Sequence, residues 1–178
     1  MGIWSDFLQG FFNSGAEKRE KAMIQKAADL CFSAAGVLTC ALEMCSHPNQ
    51  WLKSHGIDMC DSPEFRGYIH GFFEGLIGWG FTQKELNDIE HNANLRTKVM
   101  SNSAMLYAPF AGGTEAAFIA YVQKSEELHR ANNPYFRAWV ECARVDYIRF
   151  MNCEINELIN FNSLFFKHDL YQLHFRIR

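Results

Sequence analysis

The sequence has little of what marks several familiar classes of protein. Its 178 residues include only four prolines and 12 glycines, which excludes collagen-like and proline-rich scaffolds. Neither sign of charge dominates, since 17 basic and 20 acidic residues give a formal net charge of −3. This balance argues against a nucleic-acid binder that works through a basic surface. No uninterrupted apolar run reaches the roughly 18 residues that favour a membrane-spanning helix.

Apolar and aromatic residues are abundant instead. Hydrophobic residues make up 48% of the chain, and 16 are phenylalanine. This is enough for one compact domain with a full core. Four of the six cysteines lie in apolar helical runs, and Asp6 interrupts the only segment that could resemble a signal peptide. We therefore predict reduced thiols in a cytoplasmic protein at Cys31, Cys40, Cys45, Cys60, Cys142 and Cys153.

Prolines and capping residues predict where helices begin and end. Thr82 and Glu85 have the spacing of a capping box, in which a hydroxyl and a carboxylate satisfy amides of the first turn. Ser14 and Glu17 have the same spacing, and all four prolines fall where apolar periodicity breaks. These signals predict helices near residues 3–12, 15–46, 63–79, 83–107, 113–131 and 134–161, with a short turn near 49–54. We predict an all-α, single-domain bundle of about six helices.

One predicted helix carries an unusual face of glycines, formed by Gly67, Gly71, Gly75 and Gly78. Each interior glycine costs about 1 kcal/mol relative to alanine, so the face needs a packing reason. We predict that this face packs closely against another helix of the same chain. The expected neighbour is helix 15–46, which carries a stripe of small residues; self-association is the alternative.

Arg66, His70 and Glu74 lie on a second face of the same helix. We expect this face to be an exposed salt-bridged surface, or His70 and Glu74 to form an acid/base pair.

The two ends of the chain are predicted to be interaction surfaces. The first helix is amphipathic, with Trp4, Phe7 and Phe11 on its apolar face, which could dock on the bundle, in a partner's groove or on a membrane. The tail alternates apolar and polar side chains, a strand pattern. We divide the chain into a helical domain, 1–163, and a C-terminal arm, 164–178, that is a lone strand, a continued helix or a packed segment. The apolar residues of the alternation are Tyr171, Leu173, Phe175 and Ile177.

Two patterns could carry chemistry. Four metal-capable residues lie within 16 positions and could surround a zinc ion, although their spacing matches no established zinc pattern: Cys45, His47, His55 and Cys60. The alternative is a buried thiol beside surface histidines. Glu126 and His129 have the Glu-x-x-His spacing of di-iron bundles, without the second motif that those need. Glu154 falls in the apolar stripe of helix 134–161, where a carboxylate needs a partner, a raised pKa or a solvated end of the bundle. We expect a structural ion pair with an arginine or a glutamate at the end of the bundle; a buried charge that acts as a general acid/base or contacts a ligand is the alternative.

No complete catalytic constellation emerges from these patterns. We therefore expect a non-catalytic helical interaction module, an adaptor, regulator or inhibitor, that self-associates or binds a protein through its terminal segments. A metal-binding helical enzyme or sensor is one alternative, and a peripheral membrane protein that docks by its N-terminal helix is another. We predict no cofactor and no nucleic-acid partner, and membrane binding is the least favoured of the partner predictions.

Overall fold

The structure, a computed structural model, describes residues 3–111, 114–154 and 158–176, without the side chains of residues 3–14, 170 and 174–176. All regular secondary structure in these ranges is helical, which confirms the all-α prediction. Two short 3₁₀ turns, Met59–Asp61 and Ala108–Phe110, join the helices. The helices are α1 (Ile3–Met44), α2 (Ser46–Ser54), α3 (Pro63–Gly80), α4 (Gln83–His91), α5 (Ala93–Ser101), α6 (Ala104–Tyr107), α7 (Glu115–Arg130), α8 (Pro134–Met151), α9 (Ile159–Phe166) and α10 (Asp169–Arg176).

Several helix starts follow the predicted caps. Thr82 and Glu85 form the complete reciprocal capping box at the start of α4. The box at Ser14 is not used, because the helix runs through it, and the predicted helices 3–12 and 15–46 are one helix, α1. Predicted helix 83–107 is divided instead, because the side chain of Asn92 accepts the amide of Leu95 and starts α5. Asparagine competes with the helix backbone for such hydrogen bonds.

The glycine face of α3 packs against the backbone of α8. A Cβ added at Gly67 would lie 2.2 Å from the carbonyl oxygen of Phe136, and one at Gly71 would lie 2.1 Å from that of Val140. The predicted close packing within the chain is confirmed. The predicted neighbour, helix 15–46, is wrong, because a run of small residues shows that close approach is possible but does not identify the partner. The small face of α1 contributes to the core elsewhere, through Cys31, Ala34, Leu38 and Ala41.

A buried carboxylate on α8 holds α9 in place. Asp146 is fully buried, and Oδ2 accepts the Tyr68 hydroxyl at 2.8 Å. The same oxygen accepts the backbone amides of Asn160 at 2.8 Å and Phe161 at 3.2 Å. These amides belong to the first turn of α9, which has no side-chain cap of its own. Asp146 therefore caps α9 from a different helix and joins α3, α8 and α9.

The C-terminal arm is helical over residues 169–176, so the strand interpretation is wrong there. Tyr171 is buried, and its ring meets Trp51 of α2 edge to face, with centroids 5.6 Å apart. Packing on α2 offers the arm a buried face, whereas a lone strand would leave its backbone groups unpaired. A period of two over so few residues did not distinguish these outcomes.

We expect Gly71→Ala to destabilise the fold by about 3 kcal/mol, because the new methyl group would overlap a backbone carbonyl that cannot rotate away. Gly78→Ala is the matched control on the same helix, since a Cβ there would meet no described atom within 4 Å. It should raise stability by about 0.5–1 kcal/mol. Urea unfolding followed by circular dichroism measures both changes. Equal effects of the two substitutions would contradict the packing described here.

We expect Asp146→Ala to lower the unfolding free energy by about 3 kcal/mol or more, because it leaves buried amides and a buried hydroxyl without acceptors. Glu141→Ala is the control, since this carboxylate is an exposed one on the same helix. It should change stability by less than about 0.5 kcal/mol. Thermal unfolding of the two variants at one pH tests the difference. A loss no larger than that of Glu141→Ala would show that the cap on α9 contributes nothing.

Candidate functional site

The two predicted zinc thiols lie in the core. The Cys45 thiol donates to Oδ1 of Asn162 at 3.4 Å. Cys60 is also buried, and burial, followed by the charge of Asp58, raises its thiol pKa to about 12. The Cys60 thiol therefore stays protonated at neutral pH, whereas a zinc ligand must be a thiolate. None of the six cysteines is paired in a disulfide.

The two predicted zinc histidines have different partners from the thiols. His47 Nδ1 lies 3.0 Å from the Tyr171 hydroxyl. His55 stacks on the ring of Trp51, with centroids 4.0 Å apart, and its Nδ1 lies 2.8 Å from the carbonyl oxygen of that residue. Across the part of the chain that the structure describes, no three histidine, cysteine or acidic side chains are grouped as metal ligands. The structure does not bring the four predicted ligands together.

Glu154 pairs with an arginine at the end of α8, which is the first of its two expected roles; it is not a buried charge. α8 ends at Met151, and Cys153 then adopts a left-handed backbone with φ of 57°. The helical period that places Glu154 among apolar residues therefore no longer applies. Its side chain is 52% exposed, and its Oε2 lies 3.6 Å from Arg149 Nε. The charge at this end of α8 is a surface ion pair.

The structure describes the side chains of only some of the predicted terminal interaction residues. Trp4, Phe7 and Phe11 belong to the helical backbone of α1, and Phe175 to that of α10, with side chains outside the described part of the structure; Ile177 lies outside it altogether. Of the remaining two, Tyr171 is buried and Leu173 is 56% exposed. The tail thus turns one side chain inward and leaves another at the surface.

An apolar strip runs along the outer side of α1. Four exposed residues recur at every fourth position and so share one side of the helix. We call these residues, Phe32, Gly36, Cys40 and Met44, the α1 strip. Phe32 is 77% exposed and Met44 is 58% exposed, far more than aromatic and apolar side chains usually are. None of the four is charged, and Asp29 and Glu43 are the carboxylates nearest to them along the helix.

A groove of about 440 Å³ lies beside the α1 strip. Gly36, Cys40 and Met44 of the strip line one side of it, and Phe150 and Leu158 line the other. Asn162 of α9 also borders the groove, so the cap that Asp146 provides to α9 shapes this surface.

Residues Gly15–Met44 of α1 are also long and apolar enough to cross a membrane, by length and composition. One face of that segment, which includes Cys31 and Leu38, is packed in the core.

A second concave feature is a cleft of about 590 Å³ between α3, α5, α6 and α7, which we call the α3–α7 cleft. Its apolar lining comes from Phe73, Met100, Phe118 and Val122. Its polar lining includes His70, Arg96, Ser103, Tyr107 and Glu126. Such a mixture of an apolar wall and a few polar groups is typical of small-molecule sites.

Both ring nitrogens of His70 are engaged. Nε2 lies 3.4 Å from Glu74 Oε1, and Nδ1 lies 3.5 Å from the Tyr107 hydroxyl. The hydrogen bond from His70 lowers the pKa of Glu74, and the charges of His70 and of Arg144, 3.3 Å away, lower it further. His129 of the Glu-x-x-His pattern lies beside this group, its ring centroid 5.0 Å from that of His70. The arrangement holds the imidazole in one orientation and leaves no free nitrogen for a general base.

Arg66 is the main correction to the predicted salt-bridged face. It is only 5% exposed, and it joins α3 to α7 because Nη1 donates to the Tyr121 carbonyl at 2.7 Å. Its guanidinium also lies 3.7 Å from the centre of the Tyr121 ring and donates to Asp61 Oδ1 at 2.8 Å. The sequence around Arg66 gives no indication of these distant partners. Its role is to hold α7, one wall of the cleft, against α3.

The fold is thus an all-α domain, and the α1 strip and the α3–α7 cleft are two candidate binding surfaces on it. No protein-family model, curated protein or solved structure matches this chain. Its function is therefore argued from these two surfaces alone.

We expect Glu74→Gln to flatten the acid side of the stability profile. The pKa of Glu74 in the folded protein lies below its ordinary value of 4.5, so its ionised form stabilises the fold. That contribution is complete above the ordinary pKa and is lost as the pH falls through the lowered one. The variant should lose less unfolding free energy than the unaltered protein between neutral and acid pH. Chemical unfolding at a series of pH values measures this, with the exposed Glu127→Gln as control, and parallel profiles would contradict it.

Proposed function

We propose that this chain is a helical protein-interaction module that self-associates through the α1 strip. The observation that carries the proposal is the order of sizes along the strip: Phe32 and Met44 are large, and Gly36 and Cys40 between them are small. This order reads the same in both directions. A surface with that symmetry can pair with itself across a two-fold axis.

Two copies of the α1 strip complement each other best when the two α1 helices run antiparallel. Phe32 of one copy would lie opposite the second copy's Met44, and the two small positions would face each other. A Cβ at Gly36 would meet no described atom within 4 Å, so this position leaves room for the close approach of another helix. Small side chains at a helix contact favour such an approach, and the large ones at each end fill the space around it.

The chemistry of the strip favours a second copy over a charged partner. Its four residues carry no formal charge, so they offer an acidic or basic protein nothing to pair with. The groove beside the strip extends the same apolar surface to Phe150 and Leu158. The six cysteines form no disulfide, which fits a reducing compartment, and a cytoplasmic location is part of the proposal.

A membrane surface is the second candidate, because Gly15–Met44 has the length and composition of a spanning helix. Insertion would require the core face of this helix, with Cys31 and Leu38, to leave the protein interior. Peripheral binding needs no such change, but surface-binding helices usually carry basic residues on their polar face. The strip is flanked by Asp29 and Glu43 instead.

We expect the full chain to form a dimer in sedimentation equilibrium, and Phe32→Glu to raise its dissociation constant by about tenfold or more, because it buries a carboxylate against apolar side chains. Gly36→Leu should weaken the dimer as well, since it blocks the close approach although it adds apolar surface. Tyr135→Glu is the control: it replaces another exposed aromatic side chain, near the start of α8. It should leave the dimer unchanged.

Three results would contradict the proposal. One is a monomer of 20.5 kDa at all accessible concentrations. Another is a stronger dimer in Gly36→Leu, which would indicate nonspecific apolar association. The third is flotation of the unaltered chain, but not of Phe32→Glu, with vesicles of phosphatidylcholine and phosphatidylglycerol, which would favour the membrane candidate. Circular dichroism of each variant checks that the fold is retained.

A further inference from the structure

We propose that the α3–α7 cleft binds a small amphipathic organic anion, a molecule with an apolar body and one acid group such as a carboxylate. This inference is independent of self-association, because the cleft and the α1 strip share no residue. It assigns a ligand class to a site where titratable, hydroxyl and apolar side chains meet.

The apolar part of the ligand is inferred from the cleft walls. Phe118 and Val122 lie one turn apart on α7, and Met100 lines the cleft from α5. The volume of about 590 Å³ falls within the range of about 300–1,000 Å³ that small-molecule sites occupy. Phe118 and Glu126 lie eight residues apart on α7, which places them about 12 Å from each other along the helix. The cleft therefore has an apolar part and a polar part along one wall.

The charge of the ligand is inferred from the ions that line the cleft. Glu126 is already neutralised, because Oε2 lies 2.7 Å from Arg130 Nη2. Arg96 also lines the cleft, and no carboxylate of the described residues lies within 4.0 Å of its guanidinium. The uncompensated charge that faces the cleft is therefore positive. Arginine binds a carboxylate with two parallel hydrogen bonds, so an acid group is the complement that it favours.

The remaining polar side chains make the cleft a binding site more readily than a catalytic one. His70 is held between Glu74 and Tyr107, so its ring is part of a fixed wall. Ser125, also in the lining, is buried and accepts a hydrogen bond from Arg66 at 3.3 Å. A wall whose polar groups are already paired costs little to keep in place, and pre-organisation of this kind favours binding.

A pair of fluorescent probes that differ in charge tests the inference. Anilinonaphthalene sulfonate is an amphipathic anion, and phenylnaphthylamine is its uncharged counterpart. We expect Arg96→Gln to weaken binding of the sulfonate by about tenfold, the effect of losing one charge-assisted interaction, and to leave the amine unaffected. Lys98→Gln is the matched control, an exposed cation on the same helix that does not line the cleft. It should leave both probes unchanged.

Two further measurements locate the probe and identify the acid group. Val122→Trp fills the cleft, so it should abolish binding of both probes, whereas Phe32→Glu on the α1 strip should not alter it. Decanoate should displace the bound sulfonate at a concentration about tenfold lower than decanol does, because only decanoate pairs with Arg96. The inference is overturned if Val122→Trp binds the probes as well as the unaltered protein does. It is also overturned if Arg96→Gln and Lys98→Gln behave alike, or if decanol competes as well as decanoate.

Discussion

The contact between the glycine face of α3 and the backbone of α8 is the constraint on which the rest of the structure depends. With carbonyl oxygens of α8 about 2 Å from where side chains would begin at Gly67 and Gly71, no other residue type fits there. The other faces of α3 make different contacts. Phe65 and Phe72 enter the core on one side, and His70 reaches the cleft on another.

Two buried ionic side chains then determine which helices gather around this pair. Asp146 receives the hydroxyl of Tyr68 and the first amides of α9, so it fixes the direction in which the chain returns after α8. Arg66 holds α7 through the backbone carbonyl of Tyr121. A buried charge is tolerated only where its hydrogen bonds are satisfied, so each of these groups selects one arrangement of its neighbours.

The two candidate surfaces differ in physical character, and this difference is why they are assigned different partners. The α1 strip is flat, uncharged and formed by one helix, which suits another helix. The α3–α7 cleft is concave, is formed by several helices and carries the unpaired charge of Arg96, which suits a small ion with an apolar body. Neither surface was predicted from the sequence, since exposure and curvature arise only when helices are placed together.

Some features were readable from local sequence: the helical class, the start of α4 at Thr82 and the presence of a glycine face small enough for close packing. The errors about which faces pack together have one physical cause, which is that distant partners leave no local signal. The sequence around Asp146 does not distinguish it from other acidic residues of an amphipathic helix, because its partners Asn160 and Phe161 lie on α9. Tyr171 is likewise buried only because the C-terminal arm packs on α2. The sequence by itself determined the helical class of the fold, though not the helix of the C-terminal arm. Only the tertiary structure decided which of their faces meet, because that choice depends on how all of the buried groups are satisfied at once.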